Sequence, residues 1–357
     1  MQRYLQLGHF TAEELASKCL DLYQVLQAAV YRTLRELLES GGVRLTALIQ
    51  RKGSYMRIMV FQVIMTLILG FGFMGVAWAD KPIIVASTTQ IADMTRHIVG
   101  DSMEVLSILE PGADPHTYTP VPADVRKAMS AQLVIRNGLH LEGKDWIGTL
   151  ARDANKPIVT AADGIAALEL DQHGEKVADP HAWFSTKNAA VYTNNILKAL
   201  VDHFPQHKAS FQARARLFLE QLRVLDIWIR ERVNSIPPDQ RVLVTNHDAF
   251  NYFSKEYGFK NQAPVGWSTG QEVGGGTTPE RRREVVEAIR KQRIRALFIE
   301  TTINPKMIME LAQEAGVIVG GSLYSDSMGA AGTAGETYIG MMRENVITIV
   351  NALGTKE

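Results

Sequence analysis

Between Pro205 and the pair Pro237-Pro238, no glycine or proline interrupts the chain from about His207 to Ile236. Apolar residues within that run fall at Phe211, Leu217, Phe218, Leu222, Leu225, Ile229 and Val233, a largely helical spacing. At 1.5 Å per residue, about 30 residues make a rod of roughly 45 Å, the width of a whole domain. One ordinary globular unit has no need of such a helix. A helix that bridges two lobes does, so the run predicts a unit on either side of it.

Both sides read as alternating strand and helix. Before the long run, strand-like segments at residues 83–86, 105–109, 133–136 and 157–159 alternate with helical segments at 88–99 and 123–130. A further helix is expected over 186–203, closed by Pro205. After the long run, strands are expected at 241–245, 296–299 and 316–319, the last ended by Gly320-Gly321. Helices are expected at 279–292, 305–315 and 337–353. The predicted class is α/β: two lobes, each a parallel sheet flanked by helices, joined by one bridging helix. The divisions expected are residues 80–205 for the first lobe, 206–236 for the bridge and 237–357 for the second lobe. In such sheets ligands bind beyond the carboxyl ends of the strands.

Loops at those ends hold the residues with chemistry. Residues 111–124 contain four prolines and Gly112, too many breakers for regular structure. They present His116 within Asp114-Pro115-His116, and the same tripeptide returns as Asp179-Pro180-His181. Each proline fixes its own φ and pushes the preceding residue toward an extended form, so each imidazole rides on a stiff backbone. Taken singly, such a tripeptide is ordinary turn chemistry; taken twice, it is half of a metal site. His247 and Asp326 follow predicted strands in the other lobe and supply the second half. Three imidazoles and a carboxylate suit zinc and tolerate manganese or iron. His140, in Asn137-Gly138-Leu139-His140-Leu141-Glu142, is a rival ligand after a strand. His97, His173, His203 and His207 fall in a helix, a polar loop and a helix break. Cys19 is the only cysteine, which excludes an intrachain disulfide and cysteine-rich zinc sites. Lys+Arg and Asp+Glu both total 38, so no net charge draws the chain to nucleic acid or membrane.

The first 79 residues differ from the rest. Thr11-Ala12-Glu13-Glu14 is a capping box, and a second helix is expected from about Gln27 to Ser40. His9-Phe10-Thr11-Ala12-Glu13-Glu14-Leu15 and Val30-Tyr31-Arg32-Thr33-Leu34 resemble part of the winged-helix domain of the ferric uptake regulator family. That resemblance implies that Tyr31 and Arg32 face DNA. Residues 1–55 lack a complete wing and a dimerisation domain, and are expected to be a remnant or an extension upstream of the true start. In residues 56–79, Arg57 precedes an apolar run and Ala77-Trp78-Ala79 offers small residues for cleavage, the pattern of a secretory signal peptide. Translation is expected to start at Met56 and the mature chain at Asp80, without a lipid anchor because no cysteine stands at the cleavage point.

Residues 80–357 resemble the substrate-binding proteins of zinc and manganese ABC importers. The motifs that carry the likeness are Pro111-Gly112-Ala113-Asp114-Pro115-His116, Asn137-Gly138-Leu139-His140-Leu141-Glu142, Asp179-Pro180-His181-Ala182-Trp183, Asn246-His247-Asp248-Ala249-Phe250-Asn251-Tyr252-Phe253 and Tyr324-Ser325-Asp326. The resemblance implies a periplasmic monomer that captures zinc or manganese through His116, His181, His247 and Asp326. It also implies delivery to the membrane subunits of an ABC permease, with no catalysis. Family members selective for manganese or iron often carry Glu at the position of His247, and zinc-dedicated members often carry a His-rich loop where this chain has only His173. Because imidazole must be neutral to bind, affinity is expected to fall below about pH 6 to 6.5. Two other classes compete: a zinc metallohydrolase, with Glu300 as general base rather than a residue behind the site, and a DNA-binding metal-responsive regulator acting through residues 1–55.

Overall fold

In a computed structural model of the protein, which describes residues 81–172, 175–245, 247–261 and 279–354, the first lobe is built on β1 (Ile83–Ala86), β2 (Glu104–Ser107), β3 (Leu133–Arg136) and β4 (Ile158–Thr160). Their order in the sheet is β2-β1-β3-β4, and every pairing is parallel. Helices α1 (Thr89–Val99), α2 (Pro122–Ser130) and α3 (Trp146–Asp153) make the crossovers. Ile84, Val85 and Ala86 are wholly buried, as apolar strands covered on both faces must be. Helix starts carry the expected signals: the Thr88 hydroxyl accepts from Ile91 N, and the Asp124 carboxylate accepts from Val121 N at 2.8 Å. The segments 1–55 and 56–79, with Cys19, Asp80, His173 and Asn246, lie outside the described residues.

Two features depart from the sequence reading. An antiparallel hairpin, β5 (Glu169–Gln172) with β6 (Glu175–Ala178), precedes the second Asp-Pro-His. It has no alternating apolar face to betray it. In the second lobe, β9 (Ala296–Glu300) pairs in parallel with β10 (Ile318–Leu323), which runs through Gly320-Gly321 instead of ending there. The register slips between Val319 and Gly321, and a side chain at Gly320 would lie 2.6 Å from the Phe298 ring. These glycines mark close packing within a bulged strand rather than a strand end. A short pair, β7 (Val242–Leu243) with β8 (Lys260–Asn261), and helices α7 (Pro279–Lys291) and α8 (Lys306–Ala315) complete that lobe.

The helices between the sheets follow the sequence closely. α4 (Thr186–His203) leads into α5 (Lys208–Val233), which at 1.5 Å per residue is about 39 Å long. Phe211, Phe218, Leu222, Leu225, Ile229 and Val233 on α5 are buried, whereas Leu217 is 64% exposed on its outer side. The buried residues belong to one apolar cluster that also takes in β1, α1, α4, α6 (Asn251–Tyr257) and α9 (Tyr338–Leu353). The two lobes therefore share a core along α5. Phe184 of the first lobe stacks on Phe250 of the second at 4.4 Å between centroids, and Tyr338 donates its hydroxyl to Trp183 O at 2.6 Å.

Candidate metal centre

All four predicted ligands lie past the carboxyl end of a strand: His116 on the long loop after β2, and His181, His247 and Asp326 within four residues of the ends of β6, β7 and β10. The loop bearing His116 is fixed from several sides. Trp146 Nε1 donates to Pro115 O at 3.0 Å, His116 N donates to Asp114 Oδ1 at 2.8 Å, and Gly112 N donates across to Ser327 Oγ at 2.7 Å. Gly143, at φ +50°, presses on the same loop; a Cβ there would lie 2.4 Å from His116 O.

These loops bring one atom of each ligand into a cluster no wider than 4.8 Å. Nε2 of His181 lies 3.3 Å from Nε2 of His116 and 3.4 Å from Nε2 of His247. The Asp326 carboxylate lies 3.3 Å from His181, 3.2 Å from His247 and 3.8 Å from His116. A tetrahedral ion with ligand bonds of about 2.0–2.1 Å has edges of about 3.3 Å between its ligands; four of these five separations match that edge, and His116 stands farther from Asp326. Asp326 Oδ1 is buried and makes no well-formed hydrogen bond, its nearest partner being His181 Nε2 at 3.3 Å, so positive charge beside it is favoured. The side chains of His181, His247 and Asp326 are at most 2% exposed, and that of His116 is 13% exposed, so the way in passes His116.

Two carboxylates stand behind the imidazoles. Asp179 Oδ1 accepts from His181 Nδ1 at 2.8 Å and from its backbone N at 3.0 Å. Glu300 Oε1 accepts from His247 N at 2.9 Å, and its Oε2 lies 2.6 Å from His247 Nδ1. This last pair is off the line of an ideal hydrogen bond, but at that separation an imidazole N–H faces the carboxylate. Both contacts leave Nε2 turned toward the cluster, the usual role of a partner behind a metal-binding imidazole. Burial opposes charge on His181, yet Asp179 and Asp326 outweigh it and raise its pKa to about 9. Burial likewise opposes charge on His247, and Glu300 and Asp326 lift it well above the ordinary value. Burial would raise Asp326, but His247 and the neighbouring imidazoles hold it well below the usual carboxylate range.

The rival ligand is placed elsewhere. His140 is exposed, at φ +62° in a left-handed turn that follows Gly138 and Leu139, and does not join the cluster. The turn is held from inside by Glu142, whose carboxylate accepts from Ser87 Oγ, Asn137 N and Gly138 N. His97 stacks on Phe218 at 4.2 Å, and His203 bonds the end of its own helix. The contact of Asp179 with His181 was missed from sequence, where the residue read as turn chemistry only. Its signal was the spacing, a carboxylate two residues before an imidazole across a proline.

Comparison with known proteins gives the lineage. Residues 84–352 match the family described as zinc-uptake complex component A, periplasmic. The chain belongs to that family. The manganese-binding lipoprotein MntA of Bacillus subtilis is 40% identical over 282 residues, which cover 77% of this chain and 91% of that protein. The iron-binding protein YfeA of Yersinia pestis is 38% identical over 280 residues, 77% of this chain and 88% of that one. Among solved structures, the periplasmic zinc-binding protein TroA of Treponema pallidum superposes with a TM-score of 0.70 at 33% identity, covering 77% of this chain and 100% of that one. Like the other members of the zinc-uptake component family, the chain is a binding protein and not an enzyme, and its place is outside the cytoplasm. The family match starts at residue 84, so the winged-helix likeness of residues 1–55 stands outside it and finds no support there.

Proposed function

We propose that the protein captures a divalent transition metal, zinc or manganese, and hands it to the membrane permease of an ABC importer. His116, His181, His247 and Asp326 are the ligands of that cargo in this reading. The observation that supports it is the buried carboxylate of Asp326 facing three imidazole nitrogens, those of His181 and His247 at about the edge length of a tetrahedral ion. Two ligands come from each lobe, so the metal acts as a clasp across the cleft. With nitrogen at three of four positions, zinc binds more tightly than manganese in vitro, as the Irving–Williams order also requires. Four protein ligands leave no position for the water a zinc hydrolase needs, and Glu300 is engaged with His247 rather than poised as a base.

Zinc titration against a chromogenic chelator tests the assignment. One zinc per chain is expected, with His181→Ala or Asp326→Ala weakening binding by two orders of magnitude or more. Unaltered affinity in either variant would remove that residue from the site. The proposed working unit is a monomer with lobes at 80–205 and 237–357 and the bridge at 206–236. It follows a signal peptide at 56–79, and the mature chain begins at Asp80. The protein is proposed to be free of lipid although several relatives are named lipoproteins, since Cys19 precedes the apolar run and no cysteine follows it. Intact-mass analysis of the exported protein decides both points: a mass above that of residues 80–357 by a diacylglyceryl group would refute the second.

A further inference from the structure

The two Asp-Pro-His turns share one sequence and differ in what their carboxylates hold. In both, Oδ1 of the aspartate accepts the backbone N of the histidine, at 2.8 Å in the first and 3.0 Å in the second. Asp114 spends its other oxygen locally, accepting from Thr117 Oγ1 at 2.7 Å. Asp179 has no such local bond. Its Oδ1 also takes the His181 ring, and its Oδ2 accepts from Asn251 Nδ2 at 3.1 Å, a residue 72 positions away on the second lobe. The next residue of that helix reinforces the link: Tyr252 donates its hydroxyl to Asp179 O at 2.9 Å and accepts from Leu168 N at 2.9 Å. Asn251 is itself held by Asn261, which donates to its Oδ1 at 2.7 Å. Asp179 is wholly buried, so no water replaces a lost partner cheaply.

We propose that Asp179 and Asn251 form a positioning pair that couples the orientation of His181, a ligand of the first lobe, to the docking of α6 from the second. The inference rests on the metal-site reading above. The two oxygens of a carboxylate share one plane. Anchoring Oδ2 to α6 fixes that plane, and the plane fixes the imidazole through Oδ1. α6 begins directly after the loop that carries His247. Moving α6 outward therefore displaces His247 directly and frees the plane of Asp179 that orients His181. A single small motion of the second lobe loosens two ligands from opposite sides of the cleft. His116 is outside this pair, because its aspartate is satisfied within its own turn and its loop meets the second lobe through a different contact, Gly112 N to Ser327 Oγ.

The test compares Asn251→Ala and Thr117→Ala in the mature chain, reading zinc affinity, zinc dissociation into excess chelator, and melting temperature with and without zinc. Loss of a partner behind a metal-binding imidazole costs about 10–100-fold in affinity. Asn251→Ala should fall in that range, mainly through faster dissociation, and should shrink the temperature increment that zinc confers. Thr117→Ala should change affinity less than about twofold, since the carboxylate it serves does not touch a ring. A purely structural Asn251 would lower both melting temperatures together and leave the increment and the affinity unchanged, which overturns the coupling. Equal losses from the two variants overturn it as well. If Asn251→Ala does not fold, Tyr252→Phe decides by the same two readouts, because it removes the parallel bond to Asp179 while keeping the ring. If His181→Ala retains wild-type affinity, the ligand set itself is wrong. If only Asn251→Ala does, the site stands and the coupling falls.

Discussion

Lowering the pH should strip the metal by proton competition over a window set by the carboxylates around the imidazoles. His181 has a pKa raised to about 9 and His247 is raised well above its ordinary value, so in the metal-free site at neutral pH His181 is imidazolium and the charged form of His247 is favoured. A metal binds the neutral ring, and each proton must leave. For His181 the gap between about 9 and pH 7 corresponds to roughly 3 kcal/mol that metal binding must overcome, at about 1.4 kcal/mol per unit. Displacing the proton of His181 alone predicts that affinity falls about tenfold per unit of pH below about 9, a window well above the pH 6 to 6.5 expected of free imidazole, and His247, whose pKa is also raised, steepens the fall. The metal-free fold should respond in the opposite sense. The folded pKa of His181 lies above its unfolded value, so its contribution to stability is complete below about 6.5 and is lost as pH rises through about 9. Calorimetry in buffers of different ionisation enthalpy counts the released protons, and melting of the metal-free protein from pH 6 to 10 tests the second half. Release of less than one proton per zinc at pH 7, or a metal-free protein no less stable at pH 10 than at pH 6.5, would refute the reasoning.

Three further outcomes follow from the same geometry. Glu300→Gln keeps the shape but can no longer accept from both the backbone N and the ring of His247, so zinc affinity should fall about 10–100-fold, checked by chelator competition. His247→Glu replaces nitrogen by oxygen and adds negative charge, so the ratio of zinc to manganese affinity should fall, measured by titrating both metals on both proteins; an unchanged ratio would make His247 a loop residue only. Phe250→Ala empties a wholly buried site against Phe184 in the core the lobes share, and should cost about 3–5 kcal/mol in denaturant unfolding.

The frame was legible because it depends on local signals. The uninterrupted run between Pro205 and Pro237 became α5, and the short apolar strands recur at nearly the expected places because buried parallel strands need continuous apolar sequence. The four candidate ligands were legible for a related reason: strand ends are readable, and the cluster lies past them. What escaped was nonlocal. The β5–β6 hairpin pairs only Leu170 with Val177 as apolar residues, and Gly320-Gly321 could be told from a strand end only by the Phe298 ring against them. The positive φ of Leu139 and His140, which turns His140 outward and removes it as a rival, comes from the bonds that Glu142 makes to the backbone of Asn137 and Gly138. Asp179 and Asp114 are identical in their tripeptides; Thr117 of its own turn occupies Asp114, whereas Asn251 from the other lobe occupies Asp179.

Charge accounts for how such a site can be closed with or without its cargo. Three carboxylates touch the ligand imidazoles: Asp179 behind His181, Glu300 behind His247, and Asp326 between them. The carboxylates that raise the pKa of His181 and His247 favour the charged form of both rings when no metal is present. Loading exchanges ring protons for a dication, and such an exchange keeps small the change of charge that the buried cleft must bear, which is what the interior resists most. The metal-free side chains can therefore stay close together, held by imidazolium–carboxylate pairs where the metal is proposed to sit. A monovalent ion replaces less of the displaced proton charge than a divalent one, so the pairing of each buried imidazole with a carboxylate favours double charge.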